Sequence, residues 1–144
     1  MRTHIRPALL ALAATAVVAS AANLVIQLVA TAVNGPIVVE QPGMTIEITA
    51  GPVIAASVSG ALAAAIGALA LLRILPASGI RVFVIAGVAL TLLSLGGTLG
   101  ATTPSGAIAL ALMHLVTGTV VLVGNAVIHA RSSRNEARAP QPTR

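Results

Sequence analysis

Val53-Ile-Ala-Ala-Ser-Val-Ser-Gly-Ala-Leu-Ala-Ala-Ala-Ile-Gly-Ala-Leu-Ala-Leu-Leu-Arg-Ile-Leu75 holds a single charge, and that charge stands near its end. A helix needs about 20 mostly apolar residues to cross a hydrocarbon core of about 30 Å. This stretch has that length, and three others approach or exceed it, at about 7–32, 82–100 and 107–128. The fold class that follows is an all-α membrane protein. A four-transmembrane-helix bundle fills 1–130, and a polar tail rich in Arg and Pro, expected to be disordered and cytoplasmic, fills 131–144.

Composition supports the same reading. Hydrophobic residues make up 57% of the 144 and charged residues 8%. A soluble domain carries about a quarter charged residues, so water would not solvate the outside of this one. The lipid bilayer is its expected solvent. The net charge is +5, and the basic residues are all Arg. They sit at segment ends rather than on one face, and there is no Trp or Tyr and one Phe for bases to stack on. Nucleic acid is therefore not an expected partner. Rich Ala, Gly, Val and Arg without Lys point to a high-GC bacterial genome.

Orientation follows from the Arg residues. Arg2 and Arg6 precede the first span, Arg73 and Arg81 flank the loop after the second, and Arg131, Arg134, Arg138 and Arg144 follow the last. Four spans put these three regions on one side, which the positive-inside rule makes the cytoplasm. The expected location is the cell membrane, with N- and C-termini cytoplasmic. Met1–Arg6, the apolar run after it and Ala19-Ser20-Ala21 also form a signal-peptide pattern, with cleavage after residue 21. Hydrophobicity continues through Leu24-Val25-Ile26 to Val33, which favours an uncleaved span.

The first external loop carries Glu40 and Glu47 and no Arg. Ile37-Val38-Val39-Glu40 and Thr45-Ile46-Glu47-Ile48-Thr49 read as short strands, and Gln41-Pro42-Gly43-Met44 reads as a type II turn. A short extracytoplasmic β-hairpin over the helix ends is the expectation. Because a bare hairpin is marginal in water, it must pack on something.

Within the spans, small residues prepare close helix contacts: Ala56, Gly60, Ala64 and Gly67 on the second, Gly96 and Gly100 on the third, and Ala107 and Ala111 on the fourth. No carboxylate or Arg lies deep in a span, which argues against an ion-coupled carrier. The candidate intramembrane polar site is His114, Asn23, Gln27, Ser94 and Thr117, with Ser57, Ser59 and Thr91 at a similar depth. Asn23 and Gln27, four apart, share a helix face. Interhelical hydrogen bonding explains such a layer most simply. A pocket opening outward, for a small neutral or weakly anionic ligand, is the sharper reading. The chain lacks Cys, Asp and Lys, which removes thiolate metal sites, the Ser–His–Asp triad and the P-loop. The three His residues are too far apart for a metal shell, so no cofactor is expected.

Residues 101–124, Ala-Thr-Thr-Pro-Ser-Gly-Ala-Ile-Ala-Leu-Ala-Leu-Met-His-Leu-Val-Thr-Gly-Thr-Val-Val-Leu-Val-Gly, are similar to the last span of a family of small four-span bacterial membrane proteins classed as a domain of unknown function. Ala111-Leu-Met-His-Leu-Val116 carries the resemblance, with His114 at that family's His. Leu-Leu-Ser-Leu-Gly-Gly of the third span fits too. Val123-Gly124 departs from the family's Pro-Gly. The resemblance extends over about 6–129. It implies four uncleaved spans and supplies no activity. The leading expectation is a non-enzymatic envelope or accessory protein that packs against itself or a membrane-protein partner. A homo-oligomeric pore or facilitator for a small solute, using the His114 layer, comes second. An enzyme ranks behind both for want of catalytic groups.

Overall fold

The computed structural model describes residues 5–138. Arg2 and the tail end, 139–144, lie outside them. Four helices are long and apolar enough to cross a membrane. In chain order the elements are α1 (Ile5–Asn34), β1 (Val38–Gln41), β2 (Met44–Glu47), α2 (Ala50–Ile74), α3 (Gly79–Ser94), a 3-10 helix (Leu95–Gly100) and α4 (Pro104–Arg138). α1 packs on α2 and α4, and α3 packs on the same two helices. α1 runs unbroken through Ala19–Ala21.

The helix ends follow local chemistry. Gly35 takes φ +80° and closes α1 by donating its N–H to the Thr31 carbonyl at 3.0 Å. That left-handed cap favours a residue without Cβ. Pro76 stops α2 because it has no N–H to continue the ladder. Thr103 Oγ1 accepts the Gly106 N–H at 3.1 Å and caps α4, whose first residue is Pro104. An N-cap Thr followed by Pro is a favoured helix start.

Two boundaries differ from the sequence expectation. The third apolar segment leaves α-helical geometry at Ser94, and Leu95–Gly100 winds as a 3-10 helix. Gly96 and Gly97 weaken the α-helix there through backbone entropy. Gly96 and Gly100 therefore form no helix–helix seam: a Cβ on Gly96 would meet nothing within 4 Å, while one on Gly100 would meet the Glu40 carbonyl of the hairpin at 3.0 Å. At the other end, the chain expected to be irregular from Arg131 stays helical to Arg138. Ala, Arg and Glu tolerate a helix well, and Pro140 is the first strong breaker.

The hairpin forms in the expected register, with Gln41 opposite Met44 and Val39 opposite Ile46. Pro42-Gly43 makes the two-residue turn, and Gly43 sits at φ +84°, as a type II turn requires. It packs as a marginal hairpin must. Ile37, 2% exposed, and Val39 join Val53, Ala109, Leu110 and Met113 in one buried cluster. Each such burial is worth about 2 kcal/mol against exposure to water. A further contact was not evident from the sequence. Val39 bridges to Ala101, and the Thr102 N–H donates to the Val38 carbonyl at 3.0 Å. β1 thus lies between β2 and the α4 approach, and both long-range connections meet at the hairpin end.

At the opposite end, Gly79 is buried against α2, and a Cβ there would stand 2.7 Å from the Leu71 carbonyl oxygen. That neighbour is backbone and cannot rotate away. Gly79→Ala is expected to destabilise the protein by about 2 kcal/mol. Gly96→Ala, into open space, should change stability by less than about 1 kcal/mol. Reversible unfolding in mixed micelles checks the pair; equal effects would sink the account of this turn.

Candidate functional site

A cleft of about 650 Å³ separates α2, α3 and α4. It extends from Ile48 and Pro52 at the hairpin end to Leu71 and Phe83 near the α2–α3 turn. One wall is the small-residue face of α2, including Ala56, Gly60, Ala64 and Gly67. The sequence reading assigned that face to helix packing. Gly60 does approach Thr117, at 3.7 Å from a built Cβ, but Gly67 meets nothing within 4 Å. The tight contacts lie elsewhere. Gly118 abuts the Thr91 side chain, Gly87 abuts Leu122, and Gly124 abuts Thr15. These glycines draw α3 and α1 onto α4, and much of the α2 wall is left facing open space.

The polar side chains form a layer in this cleft. Asn23 is 4% exposed and Ser57 2% exposed. Asn23 Nδ2 donates to Ser57 Oγ at 3.0 Å and to Thr117 Oγ1 at 2.7 Å, so one amide joins α1, α2 and α4. The Ser57 hydroxyl donates to the Val53 carbonyl at 2.8 Å. With its proton so used, Ser57 Oγ can only accept, which orients the Asn23 amide with nitrogen toward Ser57. Asn23 Oδ1 is then left buried without a hydrogen-bond partner. An unpaired buried acceptor forfeits its hydration, at a cost of about 1–3 kcal/mol.

His114 lines the same cleft, half-buried. Its Nδ1 lies 2.7 Å from the Leu110 carbonyl. A carbonyl only accepts, so Nδ1 carries a proton, and in the neutral ring Nε2 is an acceptor. Thr91 Oγ1 donates to the Gly87 carbonyl at 2.8 Å and Ser94 Oγ to the Thr91 carbonyl at 2.7 Å. Both hydroxyls spend their protons on their own helix, a common resolution where no water competes.

Of the five candidate residues, Asn23, Ser94, His114 and Thr117 come together on the cleft. Gln27 does not. It is buried on α1 and donates to Thr31 Oγ1 at 3.2 Å, one turn on. Ser57 and Thr91 belong to the layer, whereas Ser59 is exposed and does not line it. Leu110, as the acceptor that fixes the His114 ring, had no signal in the sequence, because a backbone carbonyl is common to every residue. Glu40 and Glu47 are exposed on the hairpin and do not line the cleft.

The model of a family of unknown function, DUF6069, matches residues 3–131, nearly the whole chain and all of the cleft. The chain belongs to this family. No curated protein and no solved structure matches it. DUF6069 brings no assigned activity, so the chemistry of the cleft is the guide to what this member does.

Asn23→Leu removes two interhelical bonds, each worth about 0.6 kcal/mol between membrane helices, together with one orphaned acceptor. The expected loss of stability is at most about 1 kcal/mol. Gly118→Val, driven into Thr91, is expected to cost about 2 kcal/mol or more. Unfolding titrations rank the two; a loss above about 3 kcal/mol for Asn23→Leu would show that its amide alone locks the helices.

Proposed function

We propose that this chain is a multi-pass integral protein of the cell membrane that works by binding rather than catalysis, as an accessory or interaction protein of the envelope. One observation carries the reading: the molecule is inside-out relative to a water-soluble one. Val25, Leu28 and Val29 on α1, Ile66 and Leu69 on α2, Ile85 and Leu93 on α3, and Leu112 and Val123 on α4 are all exposed. Asn23, Ser57, His114 and Thr117 meanwhile face an internal cleft. Such an apolar shell is stable in hydrocarbon and not in water. Four transmembrane helices pack as a bundle, and the cleft is its binding element.

The proposed orientation has the hairpin outside and both termini cytoplasmic. Exposed Arg73 and Arg81 flank the α2–α3 turn, and exposed Glu40 and Glu47 lie at the other end. Arg retained on the cytoplasmic side supports this polarity. Non-enzymatic action is supported by the residues available. Cys, Asp and Lys are missing from the chain, and among the described residues no cluster of His and carboxylates could hold a metal ion.

A homo-oligomeric facilitator for a small solute is the second reading, and the polar layer is what favours it. Against a path through one protomer, the cleft lining beyond Thr117 is apolar, ending in Leu71, Phe83, Val121 and Leu122.

Because the chain has no Cys, single replacements test the topology. On intact cells, Gln41→Cys should react with a membrane-impermeant maleimide, and Ala77→Cys only after permeabilisation. The reverse pattern would invert the orientation. Native mass spectrometry of the protein from its own membrane should give a complex with a different protein or a bound small molecule. A homo-oligomer with solute flux that His114→Ala abolishes would replace the accessory reading with the pore.

A further inference from the structure

We propose that the cleft between α2, α3 and α4 is a site for a single-chain lipid alcohol, a long hydrocarbon chain ending in a hydroxyl. The proposal deepens the binding reading above and rests on it. Shape sets the first condition. Between Pro52 and Leu71, α2 spans about 28 Å at 1.5 Å per residue. A cleft of about 650 Å³ stretched along that length leaves the centres of a ligand's atoms a mean cross-section of only about 23 Å². One hydrocarbon chain fits such a slot. A second helix, about 10 Å wide with its side chains, does not. The small residues Ala64 and Gly67 keep the slot open, and Leu71, Phe83 and Leu122 offer apolar contact at its far end.

Chemistry sets the second condition. The hydroxyls of Ser57, Thr91 and Ser94 donate to carbonyls of their own helices, and His114 Nδ1 faces the Leu110 carbonyl. Both Asn23 amide hydrogens are used by Ser57 and Thr117. Asn23 Oδ1 is unpaired but closed off from the cleft, so the acceptor the layer leaves on the cleft is His114 Nε2. The Thr117 hydroxyl hydrogen is the one donor there without a fixed acceptor. An anion needs several donors or a cation, and the cleft has no Arg in its lining. The weakly anionic ligand admitted by the sequence is therefore disfavoured. An ammonium head is disfavoured as well, since no carboxylate lines the cleft and an unpaired buried charge is costly. A neutral O–H is the matching group. It donates to His114 Nε2 and accepts from Thr117.

The test uses the full chain in lipid nanodiscs with a diazirine-bearing hexadecanol as photoprobe. Hexadecanol, hexadecyl methyl ether and hexadecanoate compete for it. Cross-links should map to cleft-lining peptides of α2 and α4. Hexadecanol should compete about tenfold better than the ether, which has the same chain and no donor, as one hydrogen bond in an apolar site implies. His114→Leu should bring hexadecanol down toward the ether's level while leaving the ether unchanged. Retained ether binding also shows that the variant is folded. Equal competition by alcohol and ether, preference for hexadecanoate, or cross-links outside the cleft would overturn the assignment. Absence of cross-linking by a chain that co-purifies with a protein partner would overturn it too, while the binding reading stood.

Discussion

Asn23 joins three helices by side-chain hydrogen bonds. Its amide reaches Ser57 on α2 and Thr117 on α4, so the register of three helices is referred to a single group. Hydrophobicity gives no such register, because lipid tails solvate Leu as well as a neighbouring helix does. The rest of the arrangement follows from holding those three helices at that level. α3 is then placed by contact alone, through Thr91 against Gly118 and Gly87 against Leu122. A helix tied on neither face leaves room beside it, and the cleft lies there.

The same group explains why the interior is selective rather than simply polar. Each hydroxyl on the α2 and α3 walls has turned its proton back to its own helix. That local solution costs little and exposes lone pairs. One amide cannot satisfy both of its ends here, and Asn23 Oδ1 stays orphaned. The cost of that orphaned acceptor offsets much of what the two interhelical bonds contribute.

Much of this architecture was legible in the sequence, for identifiable reasons. The four spans stood out because hydropathy over some twenty residues is a strong signal, and Pro42-Gly43 fixed the hairpin turn because φ > 0 selects glycine. The family resemblance rested on Ala111–Val116, and the matched model covers far more of the chain. Four of the five candidate polar residues line one cleft, because helical spacing turns them to the sides of α1, α3 and α4 that face it. Gln27 shares a face with Asn23, yet its side chain bonds along α1 to Thr31, a choice between local and distant partners that spacing does not determine. The cleft itself was not legible. Small residues at Gly60, Ala64 and Gly67 permit close approach but do not compel it. Whether they seat a neighbour or line a gap depends on where α3 is held from outside.

The bridge between Val39 and Ala101 has a consequence for biosynthesis. A chain emerges N-terminus first, so β1 and β2 are made before α2, α3 and the segment that pairs with the far side of β1. Until Ala101 and Thr102 arrive, the far edge of β1 is open as well as the outer edge of β2, and such an edge invites pairing with another chain. The pairing that completes the cap over α1 therefore waits for α2 and α3 to be made. During translation, a nascent protein stalled before residue 101 would present an unfinished sheet.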